Sequence, residues 1–327
     1  MNYKNTLQNK KANEVIDELL KNNSIIKEYP KNIIKNDFCV FILSYGRAKN
    51  LTTLNTLNKG DFTKDYYIIC SDDDKDLPIY IQKYKDRVLV FNKDIVSEYI
   101  DLGDNFNIKN IVIYARIMCF VFAKKMGYRY FVQLDDDYKE FMFRYIENDK
   151  LKHITTYDYD RMFDIHLNFL KNTPFTTIAM AQGGDMIGGS GNDNVIKGYK
   201  RKVMNSFFCD VNRVFLFYGS YNEDATFYGH NSIKGTLVIT LYGYMLDQEP
   251  TQNKKGGLTE AYLEDGTYIK SFYSVMYSPS NIKIGQIGNK KNARIHHLID
   301  GIKSYPLIIN KKYSNNDIYN NINLEEW

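Results

Sequence analysis

No stretch of this 327-residue chain approaches the roughly 20 consecutive apolar residues of a membrane span, and the opening Met1-Asn2-Tyr3-Lys4 has no apolar core of the kind a secretory leader needs. A cytoplasmic protein is therefore expected. Cysteine is scarce: Cys39, Cys70, Cys119 and Cys209 lie far apart in mostly apolar settings, which suits buried free thiols and speaks against a disulfide framework or a zinc site. An excess of charge of one sign is lacking too. With a formal net charge of only +4, no whole-molecule field draws a polyanion, so any basic surface has to be local. The length allows one large α/β domain, or two tightly joined ones, with a sizeable core.

What is present is a repeating order of apolar runs and helical patterns. Val15, Ile16, Leu19 and Leu20 recur at helical spacing within residues 1–36, which predicts an amphipathic helical extension. Phe38 to Leu43 is an apolar run ending at Ser44-Tyr45-Gly46-Arg47, after which Leu51, Leu54 and Leu57 take up helical spacing. A second run, Tyr66 to Cys70, ends at Ser71-Asp72-Asp73-Asp74 and precedes a helical Leu77 to Tyr84 segment and a third run, Val88 to Phe91. Strand-then-helix repetition predicts a parallel sheet with ligand groups at the carboxyl ends of its strands.

Ile111 to Met126 is apolar on nearly all sides, and Arg116 is its only interior charge before Lys124. A buried arginine requires an anionic partner, which a structural aspartate could supply as well as a ligand. The next strand, Tyr130 to Leu134, runs directly into Asp135-Asp136-Asp137. Three carboxylates at a strand end repel one another and resist desolvation unless a cation or a hydrogen-bonding ligand answers them. A solvated acidic turn is the competing reading, and Arg116 on the preceding helix weighs against it.

Further on, a helix is expected around Tyr159 to Leu170 and a strand at Thr176 to Met180, which opens into a Gly183 to Gly191 segment too rich in glycine for a regular element. That segment lacks the Gly-Lys-Ser/Thr ending of a P-loop. Lys197, Lys200, Arg201 and Lys202 follow it, and loop and patch together suit a nucleic-acid backbone, although a solvated basic face has the same composition. Glu223-Asp224 sits between the apolar runs Val214 to Tyr218 and Val238 to Leu241. One carboxylate of such a pair can act as a base while hydrogen bonds fix the other, or the pair can cap a helix. His296-His297 supplies two of only five histidines, either surface or core residues or the completion of a metal site.

Taken in order, Ser44-Tyr45-Gly46-Arg47, Asp72 to Asp74, Arg116, Asp135 to Asp137, Glu223-Asp224 and His296-His297 resemble the motif series of the glycosyltransferase A (GT-A) fold, whose members use nucleotide-sugar donors. The spacing, and the ending Arg294-Ile295-His296-His297 through Tyr305-Pro306-Leu307-Ile308, look like the phage-encoded TET-associated glycosyltransferases, thought to place sugars on oxidised pyrimidines in DNA. The resemblance implies an α/β, Rossmann-like fold with a mixed, mainly parallel sheet flanked by helices. It divides the chain into a 1–36 helical extension, a 37–310 GT-A-like domain and a 311–327 tail. Within the domain, residues 37–145 form the nucleotide-sugar-binding half and residues 146–310 the acceptor-binding half.

The same resemblance implies roles. Asp135 touches the donor ribose, Asp137 holds Mn²⁺ or Mg²⁺ on the diphosphate with Asp135 as a second metal contact, and Asp136, whose position the family pattern leaves free, joins the nucleotide-sugar contacts. His297 or His296 adds a metal ligand, Asp72 or Asp73 meets the base, Ser44 and Arg47 bind the nucleotide, and Arg116 steadies the same anionic group or the triplet. In an inverting reaction Asp224, or else Glu223, takes the acceptor proton; in a retaining one the pair positions the acceptor. The implied activity is metal-dependent transfer from a UDP-sugar to 5-hydroxymethylpyrimidine in DNA, with Gly183 to Gly191 and Lys197 to Lys202 near the acceptor. Two readings compete with it: the same catalyst acting on a surface glycan or protein, and a non-catalytic nucleotide-binding protein.

Overall fold

A computed structural model describes residues 12–28, 30, 36–100, 102, 104, 111–148, 150–183, 185, 201–249, 269–287, 293–301 and 303–304. Ten strands form one sheet: β1 (Ile26–Glu28), β2 (Phe38–Leu43), β3 (Asp65–Ser71), β4 (Val88–Phe91), β5 (Tyr130–Asp135), β6 (Tyr138–Glu147), β7 (Lys150–Thr155), β8 (Thr177–Gln182), β9 (Phe207–Asp210) and β10 (Val238–Gln248). Their spatial order is β1-β4-β3-β2-β5-β9-β8-β10-β6-β7. All except β1, β6 and β9 point the same way, so the sheet is mixed and mainly parallel in strand direction, as the resemblance implies. Strands β11 (Ile282–Ile287) and β12 (Arg294–Ile299) make a separate antiparallel pair.

The apolar runs are continuous because both faces of the central strands are covered. Alternation along each strand splits them between two cores. Cys39, Phe41, Leu43, Tyr67 and Ile69 pack with α1 (Ala12–Lys21), α4 (Lys93–Tyr99) and α5 (Val112–Met126) on one face. Phe38, Val40, Ile42, Ile68 and Cys70 pack with α2 (Thr52–Leu57), α3 (Leu77–Tyr84) and α6 (Tyr159–Lys171) on the other. Helix α5 lies under the sheet with Phe120 edge-on to Phe131 of β5, and it stops at Gly127, whose φ of +79° is the left-handed conformation that ends helices most easily. The N-terminal segment does more than supply a helix. After α1 it adds β1 as an antiparallel edge next to β4.

The charged and aromatic stretch after the triplet is the long strand β6, paired with both β10 and β7. Its turn into β7 uses Asn148 at φ +51°, a conformation asparagine tolerates.

Helix α6 buries His166, its ring stacked on Phe208 at 4.8 Å. Nδ1–H donates to Met162 O at 2.7 Å and Nε2 has no partner among the described residues, so the ring is neutral, and burial pulls its pKa down to about 4. Because the folded state resists a proton that the unfolded chain accepts near the ordinary value of 6.5, His166 withdraws stability as pH falls from there towards 4, by roughly 3 kcal/mol. Urea titrations across that window should show this acid slope in the native protein and a flatter one in His166→Phe; equal slopes would show that His166 is not its source.

Candidate functional site

The chain runs outward from β2 to β3 and β4, then crosses back to lay β5 on the other side of β2. The order of strands therefore reverses between β2 and β5, and the crevice beyond their carboxyl ends is where such sheets bind ligands. Leu43 and Asp135 are in register there, so the Ser44 to Arg47 loop and the aspartate triplet face each other across the crevice.

The three aspartates have separate surroundings. Asp136, the middle residue, is buried and turns inward: it accepts from Ser44 Oγ at 2.5 Å and pairs with Arg47 Nη1 at 2.5 Å. Asp135 remains partly open, with Oδ1 at 3.1 Å from Arg116 Nη2. Asp137 has no cationic partner among the described residues and is met by its own backbone N–H. Burial, then the charges of Asp135 and Asp136, push its carboxyl up to about 7, with Arg47 opposing.

Two residues outside the sequence expectations hold this turn. Thr53, at the start of α2, donates Oγ1–H to Asp135 O at 2.5 Å, gives its N–H to Asp136 O, and receives the Tyr138 N–H on Oγ1. Asp74, rather than Asp72 or Asp73, reaches the β2 loop, accepting from Gly46 N at 2.9 Å. Gly46 stands at φ +68°, where a side chain would be strained. Asp72 accepts from Lys93 N at 3.1 Å, and Asp73 pairs with the Lys93 ammonium. Threonine at a helix start and one aspartate among three carry no distinguishing pattern in the sequence.

Arg116 finds two anionic partners. Its Nε lies 2.9 Å from Glu223 Oε1 and Nη2 reaches Asp135, while the guanidinium sits over the Phe207 and Phe217 rings. Among the described residues Nη1 is buried without a hydrogen-bond partner, a donor left over for a ligand or a water. Glu223 and Asp224 open α7 (Glu223–Lys234), where carboxylates suit the helix dipole. Their environments separate them: burial first, with Asp224 and Asp135, raises the Glu223 pKa against Arg116. For Asp224 burial is outweighed by Lys202, the Ala225 N–H, His297 and Arg116, which hold it below its ordinary value.

Across from this pair, β12 brings in the histidines. His297 is buried, with Nδ1 3.3 Å from Asn222 Nδ2 and Nε2 3.2 Å from Lys202 Nζ. Burial, Lys202 and His296 lower its pKa to about 3, so the ring is neutral. His296 lies beside it, ring centroids 4.1 Å apart, and is less buried. Of the basic patch, Lys197 and Lys200 lie outside the described residues, as do Gly184 and residues 186–191 of the glycine-rich segment. Arg201 pairs with Asp185 at 2.9 Å and donates to Gln182, closing the base of that segment, and Lys202 points into the site. Neither spreads its charge over an outer face.

The donor set fits a hard divalent cation in one place. Asp135 and Asp137 offer carboxylate oxygens, and the burial and neighbouring aspartate charges that raise the Asp137 pKa are what a bound cation would offset. No group of three His, Cys, Asp or Glu side chains converges as a metal cage among the described residues. Mg²⁺-type sites held by one or two carboxylates plus substrate phosphates have that sparse protein donor set.

The sequence matches the TET-Associated Glycosyltransferase family over residues 38–257. No curated protein matches it. Among solved structures, glucosyl-3-phosphoglycerate synthase from Mycobacterium tuberculosis, in complex with Mn²⁺, UDP and phosphoglyceric acid, is 7% identical, covering 80% of this chain and 86% of that one at a TM-score of 0.43. The mannosyltransferase PcManGT from Pyrobaculum calidifontis, in complex with GDP-Man and Mn²⁺, is 10% identical, covering 74% of this chain and 64% of that one at a TM-score of 0.42. Likeness this distant carries no argument about chemistry. No helix among the described residues is long and apolar enough to cross a membrane.

Proposed function

Since the chain belongs to the TET-associated glycosyltransferase family and is a glycosyltransferase, we propose that it moves a sugar from a nucleotide diphosphate, a UDP-sugar being the first donor to test, to the hydroxyl of a 5-hydroxymethylpyrimidine in DNA. The observation that carries the donor half is the carboxylate turn at the switch crevice, with Asp137 in no ion pair among the described residues. The family's association with TET, together with the chain's resemblance to glycosyltransferases thought to act on oxidised pyrimidines in DNA, supports the acceptor half. The acceptor would enter over the Asp224 side, near the base of the glycine-rich segment.

Asp135 and Asp137 would hold Mn²⁺ or Mg²⁺, which when bound neutralises charge on the departing diphosphate. Ser44 and Arg47 fix Asp136 and so set the turn that presents the other two carboxylates. Arg116 locks Asp135 against Glu223, which commits Glu223 to structure. Asp224 is left as the proton acceptor from the sugar-accepting hydroxyl, since it is ionised and more open than Glu223. Asp72 and Asp73, engaged with Lys93, would line the base pocket from β3.

The test is a panel of nucleotide sugars, with and without Mn²⁺, incubated with duplexes containing 5-hydroxymethylcytosine or 5-methylcytosine and read by mass spectrometry of the digested nucleosides. Sugar is expected on the hydroxymethylated base alone. Donor hydrolysis without transfer to either duplex would sink the DNA acceptor and point to a glycan or protein. In the same assay Asp224→Asn should lower transfer by about 10²- to 10⁴-fold while donor binding stays near native; full activity would remove Asp224 as the base.

A further inference from the structure

Past the carboxylate turn, three side-chain amides meet on the acceptor half of the sheet. Gln182 ends β8, Gln248 ends β10, and Asn205 stands two residues ahead of β9. Gln248 is in register with Tyr138, and the next residue, Glu249, gives its N–H to Asp137 O at 3.1 Å. Asn205 lies two residues before Phe207, whose strand partner Gln133 lies two residues before Asp135. All three amides therefore sit at the same end of the sheet as the triplet, beside the base of the glycine-rich segment.

The orientation of each amide follows from Arg201. A guanidinium only donates, so the atom it meets on Gln182 is Oε1, and Gln182 Nε2 is left to face Gln248 Oε1 at 3.4 Å. Asn205 Nδ2 donates to that same oxygen. What remains is Gln248 Nε2, a donor, beside Asn205 Oδ1, an acceptor, and neither has a hydrogen-bond partner among the described residues. Turning both amides over would exchange the two atoms and still leave the pair one donor and one acceptor.

Asn205 is buried and stands at φ +67°, a left-handed backbone that glycine adopts most easily. Asparagine commonly takes that conformation while bonding its own turn, but this amide reaches Gln248, 43 positions away. Tyr138 Oη–H donates to Asn205 O at 2.5 Å and holds the backbone in place. A buried carboxamide with a spare acceptor calls for an answering group.

Resting on the DNA-acceptor reading above, we infer that Asn205 and Gln248 read the target pyrimidine by its Watson–Crick edge. Cytosine offers N4–H to Asn205 Oδ1 and N3 to Gln248 Nε2, and uracil offers N3–H and O4 in the same two roles. In a paired duplex that edge belongs to the opposite base, so the target nucleotide is read out of the stack. A sugar hydroxyl, which rotates to donate or accept, would not call for a fixed pair of this kind.

The test compares oligonucleotides carrying 5-hydroxymethylcytosine or 5-hydroxymethyluracil with ones whose edge is blocked, N4,N4-dimethyl-5-hydroxymethylcytosine and N3-methyl-5-hydroxymethyluracil. The donor panel above is used with Mn²⁺. The native enzyme should transfer to the blocked base about 10- to 100-fold more slowly, the worth of a lost bidentate base contact. Blocked bases pair poorly and leave the stack more easily, so lost pairing alone would raise transfer. Asn205→Gly, which keeps the left-handed backbone, and Gln248→Met should each lower kcat/KM for the open base by a similar factor and discriminate little between open and blocked bases. Donor hydrolysis without DNA should stay native in both, which separates loss of base contact from misfolding, and the comparison in the native enzyme stands whether or not a variant folds. Equal transfer to open and blocked bases by the native enzyme, or native kcat/KM in both variants, overturns the edge contact and leaves the DNA acceptor standing. No transfer to any oligonucleotide overturns both.

Discussion

Asp137→Asn should abolish sugar transfer while leaving the protein folded, and in metal-free buffer it should be at least as stable as the native chain. The substitution keeps the shape of the side chain and removes the carboxylate of the turn that forms no ion pair among the described residues. Asp136 is spoken for by Ser44 and Arg47 and cannot take over, and Asp135, with Oδ1 on Arg116, would be left as a single carboxylate ligand. Losing the cation that offsets the developing charge on a leaving diphosphate amounts to several kcal/mol of transition-state stabilisation, or a fall in rate of about 10³-fold or more. The stability half follows from repulsion, since an amide neither repels Asp135 nor resists burial as a carboxylate does. Thermal melts with and without Mn²⁺ supply a readout apart from activity: the metal should raise the melting temperature of the native protein and do little for Asp137→Asn. Transfer within tenfold of native, together with a full Mn²⁺ shift, would show that the triplet is not the metal site.

A larger effect on folding is expected at Arg116. Its guanidinium is buried between Asp135 and Glu223, and Arg116→Met would leave those two carboxylates facing each other with no cation. Breaking a buried ion network by removing one member typically costs about 3–5 kcal/mol, because the remaining charge is stranded. The double variant Arg116→Met/Glu223→Gln removes one stranded charge and should recover much of that loss in urea midpoints, yet remain inactive because Asp135 is no longer oriented. A single variant within about 1 kcal/mol of native would mean that water reaches these carboxylates and that the network holds little of the fold.

The residues visible in advance were those whose meaning is local. Apolar runs such as Phe38 to Leu43 specify buried strands by their continuity, and the loops at their ends had to carry the polar groups. Arg116 announced a partner because an arginine inside an apolar helix has few alternatives. Strand β6 stayed hidden because its charged and apolar residues do not alternate cleanly: Phe143 and Ile146 are exposed while Arg144 is buried, and the strand shows only through its pairing with β10 and β7.

Chain order and side-chain chemistry were thus enough to place a carboxylate turn at a strand end in an α/β sheet, since both depend on short-range periodicity and on the cost of burying charge. Which carboxylate is neutralised, which is left open and where the lysine points were settled by contacts between distant segments: Ser44 with Asp136 across 92 positions, Arg116 with Glu223 across 107, and Lys202 with His297 across 95. Adjacent aspartates are chemically identical until folding gives each its own neighbours, and those neighbours set their charge.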